Sequence, residues 1–460
     1  MKCDFTRREF LHFGARTLAS SAMLSTLGGL QRVLAGSANT TGYKALVCLY
    51  MYGGNDGFNW FVPLTPAGYS TYANTRTSLA LAQNTLLPLN GTASDGYTYG
   101  IHPSCPEIQK LFNSKNIAVL CNVGTLVQPT TPALAQSGTN LPSQLFSHLD
   151  QQTLWQTSIA NSPARYGWAG RVADVYSGQG YSSQLNMNIN VGVANYWQQG
   201  QQTNPYVLGT GGAPILDDTS NSSYRNGLRA QTAAALLGQA VNDPNLMVAQ
   251  YAAIQNSAAA KVTIVNNALG AAGDLTTAFP SYPNDSDLGA QLHEVARVIK
   301  AQPQIGDARQ IFFVSMNGFD THNSELSNQA PLLQIVSANL NAFWTAMGEI
   351  NMRSNVTLFT ASDFGRTLGS NGNGADHAWG NHHVIMGGAV QGGQYYGTMP
   401  TLTIGGPNDF GPGLGQMIPT TSTDQYAATL ANWFGVASND LDTVFPNLGN
   451  FSTPTLGFLG

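Results

Sequence analysis

Residues 376–383 read Asp-His-Ala-Trp-Gly-Asn-His-His, which places three of the chain's eight histidines and an aspartate within eight positions. Ionisable groups are scarce elsewhere, since only 9% of the 460 residues are charged. Imidazole and carboxylate are the mixed donors that Zn²⁺ and Mn²⁺ accept. More of them occur at three other points: Asp56 in "GGNDGFN", Asp320 and His322 in "FDTHN", and Asp363 with Arg366 in "SDFGRT". Taken singly, each has a plainer reading. "GGNDG" is also a tight turn, because Gly, Asn and Asp tolerate positive φ. Asp320 could cap a helix, Asp363 could do no more than pair with Arg366, and the histidine run could be a solvated loop. Together they suggest a site for a divalent metal, Zn or Mn, with one or two ions.

What would gather them is the pattern of elements. Short apolar runs that stop abruptly at Gly, Asn or Asp read as buried strands at 44–52, 116–124, 310–318, 355–362 and 382–390. Helical patterns lie between them, at "PEIQKLF" and at 288–302, 332–350 and 423–436. Such alternation predicts an α/β fold, a mostly parallel sheet sandwiched by helices. Ligands then collect beyond the carboxyl ends of the strands. Asp56, Asp320 and Asp363 each follow a strand, and the 376–383 cluster precedes one. The stretch 195–285 breaks the rhythm with amide-rich loop and Ala-rich helix, and reads as a helical insertion or cap on a domain spanning 39–460.

Bulk properties narrow the partners. A formal net charge of −5 leaves no basic field for nucleic acid or anionic membrane. Thr6-Arg7-Arg8-Glu9-Phe10-Leu11, then a small-residue apolar run, predicts a twin-arginine export signal over 1–38 and a periplasmic or secreted protein. No run reaches about 18 apolar residues, so no membrane span is expected. Of four cysteines, Cys3 leaves with the signal, and no CxxC spacing points to a redox or metal site.

The chain resembles the exported bacterial proteins grouped as the domain of unknown function 1501 family, within the alkaline phosphatase/sulfatase-like superfamily. The resemblance rests on "LYMYGGNDGFNWFVP" (49–63), "FSHLDQQTLWQTS" and "YGWAGR" (146–171), "GFDTHN" (318–323), "TASDFGRTLGSNGNGADHAWGNHHVIMGGAVQGG" (360–393) and "IPTTSTDQYAATLANWFGV" (418–436). It implies an alkaline-phosphatase-like sheet, a two-metal site and a nucleophile at a helix N-terminus. By position, Asp56 would hold one metal and Asp320 with His322 the other. Asp363 would stand where the superfamily has Asp-His, and His382 or His383 where a late histidine precedes the next strand. Residue 364 departs from that pattern, being Phe in place of His, and His377 could supply the missing imidazole.

For the nucleophile, Ser143 and Ser147 lie near a helix start with His148 adjacent; Ser147 is the stronger candidate, against an ordinary N-cap serine. Arg366 or Arg171 could grip an anion through a bidentate fork. Cys105-Pro106-Glu107 does not continue to an arginine, so a formylglycine sulfatase is not expected. The function these residues suggest is a metal-dependent hydrolase of phosphate or sulfate esters, acting on an anionic ester small molecule or glycan. The alternative is a non-catalytic periplasmic or cell-surface binding protein on the same fold. A sugar-polymer hydrolase lacks a recognisable carboxylate pair with flanking aromatics. The sequence leaves the oligomeric state open.

Overall fold

The computed structural model describes residues 40–162, 164–213, 224–283, 287–411 and 413–460. The segment expected to be an export signal, 1–38, lies outside them.

Twelve strands are present among the described residues: β1 Lys44–Met51, β2 Phe61–Pro63, β3 Leu87–Pro88, β4 Tyr99–Ile101, β5 Ile117–Gly124, β6 Asn188–Asn190, β7 Tyr206–Val207, β8 Arg309–Met316, β9 Val356–Ser362, β10 Asn381–Gly387, β11 Tyr395–Gly397 and β12 Thr421–Ser422. Nine form one sheet in the order β11-β5-β10-β9-β1-β8-β6-β7, with β12 also on β5. The other three make a small antiparallel sheet, β2-β4-β3. The main sheet is mostly parallel, as expected. β1 pairs in parallel with both β8 and β9, and β6 continues in parallel beyond β8.

The strands read as unbroken apolar runs because both faces are covered. Along β1, Ala45, Val47, Leu49 and Met51 enter one core, with helices Pro106–Asn113, Leu288–Lys300 and Glu325–Glu349. Leu46, Cys48 and Tyr50 enter the opposite core, with helices Trp168–Gly178 and Thr423–Phe434. That split follows from the period-2 alternation of a strand. Leu288, Leu292, Val295 and Ile299 keep the 3.6-residue spacing that turns one helical face to the sheet. Cys48, Cys105 and Cys121 are free and buried in these cores.

One strand runs against the rest. β10 is antiparallel to both β5 and β9. A parallel neighbour needs a crossover, whereas residues 363–380 leave and return at one edge. That reversal matters for the site, because the start of β10 therefore lies at the carboxyl end of β9.

The stretch 195–285 holds β7, which joins the sheet edge, and a pair of helices, Tyr224–Ala240 and Leu246–Ala272. Val265, Ala268 and Leu269 of the second helix pack into the core. Among the described residues no helix is long and apolar enough to cross a membrane.

Candidate metal centre

Backbone contacts draw the loops at the carboxyl edge together before any side-chain chemistry is considered. Gly53 has φ +115, and a Cβ there would lie 2.4 Å from the Asp320 amide nitrogen. Only glycine lets the β1 and β8 loops approach this closely. At the tip of the 363–380 excursion, a Cβ on Gly374 would lie 2.4 Å from the His322 carbonyl carbon. The excursion is a hairpin closed by an Arg366–His377 bridge, which fixes His377 beside the Asp320–His322 loop. A fourth element enters from elsewhere in the chain: helix His148–Thr157 begins at this edge.

Four side chains converge there. The Nε2 atoms of His148, His322 and His377 stand 3.4, 3.2 and 3.4 Å from Oδ1 of Asp320. His322 Nε2 is 2.8 Å from His377 Nε2. One donor atom each from His148, Asp320 and His377 lies within 4.8 Å of the others. The opposite nitrogen of every ring has its own partner. His148 Nδ1 is 2.7 Å from Asp363 Oδ2, His322 Nδ1 is 3.0 Å from Asp376 Oδ1, and His377 Nδ1 is 2.7 Å from the Phe146 carbonyl oxygen. Carbonyl and carboxylate oxygens only accept, so each Nδ1 carries the hydrogen and donates it. In the neutral tautomer this leaves three Nε2 lone pairs aimed at one carboxylate oxygen. Lone pairs and a carboxylate crowded together repel unless a proton or a cation lies among them. The donor set, three imidazoles and one carboxylate, suits a borderline divalent ion.

The surroundings complete this arrangement. Phe364 is buried and walls the cluster, its ring centroid 4.8 Å from that of His148 and 4.5 Å from that of His377. Asp363 Oδ2 also accepts the Gly53 N–H at 3.2 Å and the Gln152 amide at 2.9 Å. Its bond to His148, more than any other factor, raises that imidazole's pKa. Burial lowers that of His377. Burial works against ionisation of Asp320, but Arg366, by hydrogen bond and charge, holds it below the usual carboxylate range. The Asp320 side chain is 49% exposed, which leaves the cluster open to solvent on one side.

Several residues expected at the site have other duties. Asp56 is buried, caps helix Gly57–Trp60 through the Phe58 and Asn59 amides, and is paired with buried Arg76, which also reaches Glu325 at 3.2 Å. Both oxygens of Asp56 are engaged inside the protein, Oδ1 by the two amides and Oδ2 by Arg76, whereas Asp320 meets its arginine through Oδ1 and is half-exposed. Arg366 is fully buried, and its guanidinium is bonded to the carbonyls of Gly53, Gly54, Phe319 and Ala375 and to Asp320 at 2.6 Å. It organises the loops and presents no open fork to an anion. Arg171 is likewise bonded to the carbonyls of Thr157, Tyr166 and Val444. Ser147 turns its hydroxyl to Asp150 Oδ2 at 2.6 Å, within its own helix turn.

The pair His382-His383 is core. As extended backbone requires, the two rings face opposite ways. His382 packs edge-on to Phe58 and Phe61 and accepts the Asn122 N–H at Nδ1, 3.1 Å. His383 lies against Trp155 and Tyr426. Burial drops their pKa values to about 4 and about 3, so both are neutral. Asp363 stands behind His148 as its support. The member of this cluster that sequence reasoning missed is His148, noticed only as the neighbour of Ser147. The available signal was its place at a helix start, one turn before Gln152.

A family described as protein of unknown function (DUF1501) matches residues 43–406, and the chain belongs to it. A search of curated proteins finds no match. Among solved structures, the PsFucS1 sulfatase from Pseudoalteromonas sp. is similar at 13% identity, with 86% of this chain and 72% of that one covered and a TM-score of 0.33. The C-terminal periplasmic domain of EcEptC from Escherichia coli is similar at 12% identity, with 88% and 86% covered and a TM-score of 0.30. A 2-O glycosaminoglycan sulfatase, BT1596, is similar at 11% identity, with 86% and 71% covered and a TM-score of 0.31.

Proposed function

We propose that this member of the DUF1501 family is an exported, metal-dependent hydrolase of phosphate or sulfate esters that works with a single divalent ion, zinc before manganese, held by His148, Asp320, His322 and His377. The observation that carries the reading is the convergence of three Nε2 lone pairs on Asp320 Oδ1, with every Nδ1 already committed to an oxygen. One ion, not two, fits best, because Asp56 is engaged by Arg76. When bound, such an ion supplies Lewis acidity toward an ester oxygen and acidifies water.

The chain's own groups do the rest. Asp363, Asp376 and the Phe146 carbonyl hold the three imidazoles in the ligating tautomer. Phe364 excludes water from the inner side, and exposed Asp320 marks the open side where an anionic ester or glycan would enter. Ser147, hydrogen-bonded to Asp150, is not needed as a nucleophile, since water can take that part.

The test is elemental analysis of the purified chain together with phosphomonoester, phosphodiester and sulfate ester substrates. About one ion per chain, with turnover lost on chelation and restored on reloading, is the expected result. Absence of any bound ion after growth and dialysis in zinc and in manganese would overturn the proposal.

A binding protein on the same fold is the second reading. The buried and fully engaged Arg366 and Arg171 favour it, because neither offers a fork to a transferred anion. Stoichiometric metal without turnover on any ester would support it. For export, Arg7→Lys with Arg8→Lys should leave precursor in the cytoplasm; unchanged export would sink the twin-arginine proposal.

A further inference from the structure

Away from the histidine cluster, helix Leu246–Ala272 presents an apolar stripe left exposed among the described residues. Its inner side is occupied: Ala252 is buried, and the Asn256 amide reaches the Leu237 carbonyl of the companion helix. On the outer side Met247, Tyr251 and Ile254, at i, i+4 and i+7, are 81%, 61% and 55% exposed. Along the same side a cavity of about 1060 Å³ opens between Ala253, Ala258 and Val262 of the helix and the sheet-edge strand β7, whose Val207 is 60% exposed.

We infer that a second copy of this chain covers this face, with the Met247–Ile254 stripe of each copy seated in the groove of the other. Stripe and groove lie on one side of one helix, their centres about seven residues apart, or roughly 10 Å along the axis. Two such helices laid antiparallel about a two-fold axis place each stripe over the partner's groove, which is the self-complementarity a closed dimer requires. The small side chains of Ala253 and Ala258 let the helices approach to the usual ~8–10 Å.

Area favours the same occupant. Leu246, Met247, Tyr251, Ile254 and Val207 together expose roughly 600 Å², at about 200 Å² per large side chain. That approaches the ~800 Å² per partner of a standard interface and sits at the top of what a monomer usually leaves uncovered. Charge points away from a lipid surface, since among the described residues Lys261 is the single charged one lining the groove and it is bonded to Asn186. Without a basic cluster nothing draws the stripe to anionic headgroups, and without a row of like charges nothing opposes two copies meeting.

Sedimentation velocity on the purified mature chain is the test. A dimer is expected at low micromolar concentration, and Tyr251→Glu and Met247→Asp should each shift it to monomer by tenfold or more in Kd. Helix content, thermal midpoint and bound metal should stay unchanged, since both side chains are exposed. A wild-type chain that remains monomeric at about 100 μM, tens of times above the low micromolar range expected, would overturn the inference. So would a dimer that both variants leave intact, or a monomer that floats with phosphatidylcholine vesicles through this stripe.

Discussion

The Nδ1 of His148 stands 2.7 Å from Oδ2 of Asp363, a bond that ties a helix start to the end of β9 across 215 residues. It decides which ring nitrogen is free, and so what His148 can bind. Asp363 in turn accepts from Gly53 and Gln152 and sits close enough to buried Tyr50 to help raise that phenol's pKa, after burial itself. Asp363→Asn keeps the shape and weakens the acceptor. Metal affinity should fall by about 10–100-fold, the range seen for partners that orient ligands, with binding still saturable. Unchanged affinity in a competitive chelator titration would remove Asp363 from the site.

Single substitutions of His148, His322 and His377 by Ala should each lower metal affinity by at least roughly tenfold. His383→Gln should keep the metal. That ring is buried against Trp155 and Tyr426, so its loss should appear as a lower melting temperature instead. Metal content after dialysis against a weak chelator separates the two classes. If His383→Gln loses the ion while His148→Ala keeps it, the assignment is reversed.

The contrast between these histidines shows what a sequence can disclose. Strand positions were legible because buried strands are apolar without interruption, and the Asp320, His322 and His377 cluster followed from strand-end placement. His382 and His383 look like ligands because local pattern cannot distinguish a neutral core imidazole from a coordinating one; their packing in the core depends on Phe58 and Trp155, remote in sequence. Asp56 is engaged by Arg76, a residue 20 positions away that the motif does not contain. The antiparallel run of β10 is also a long-range fact, fixed by pairing with β5 and β9.

Gly53→Ala tests whether the loops need their close contact. The new methyl would meet the Asp320 amide at 2.4 Å, on a backbone with φ +115. Backbone strain of this kind costs on the order of 1–3 kcal/mol, and relief should move Asp320 out of the cluster. Lower stability together with lower metal content is expected. A stable variant with full metal content would show that the glycine is only a turn residue.

A carboxyl away from the histidine cluster makes stability depend on pH. Asp424 is fully buried in the first turn of helix Thr423–Phe434, where it meets Ser422. Burial raises its pKa to about 7, against the opposing pull of the Ser422 hydroxyl and of Arg171. A carboxyl whose pKa is raised on folding contributes stability that is complete below the unfolded value near 4 and is lost as pH climbs to about 7. Between pH 5 and pH 8 the wild type should therefore lose on the order of 2–3 kcal/mol from this group alone. Asp424→Asn cannot ionise, so it should be spared that loss. Any hydrogen bond lost on substitution adds the same offset at both pH values and cancels in the comparison. Urea denaturation at pH 5 and pH 8 should show the variant gaining on the wild type by that amount at the higher pH. An equal difference at both would mean that Asp424 is already ionised in the folded core, with Arg171 overcoming its burial.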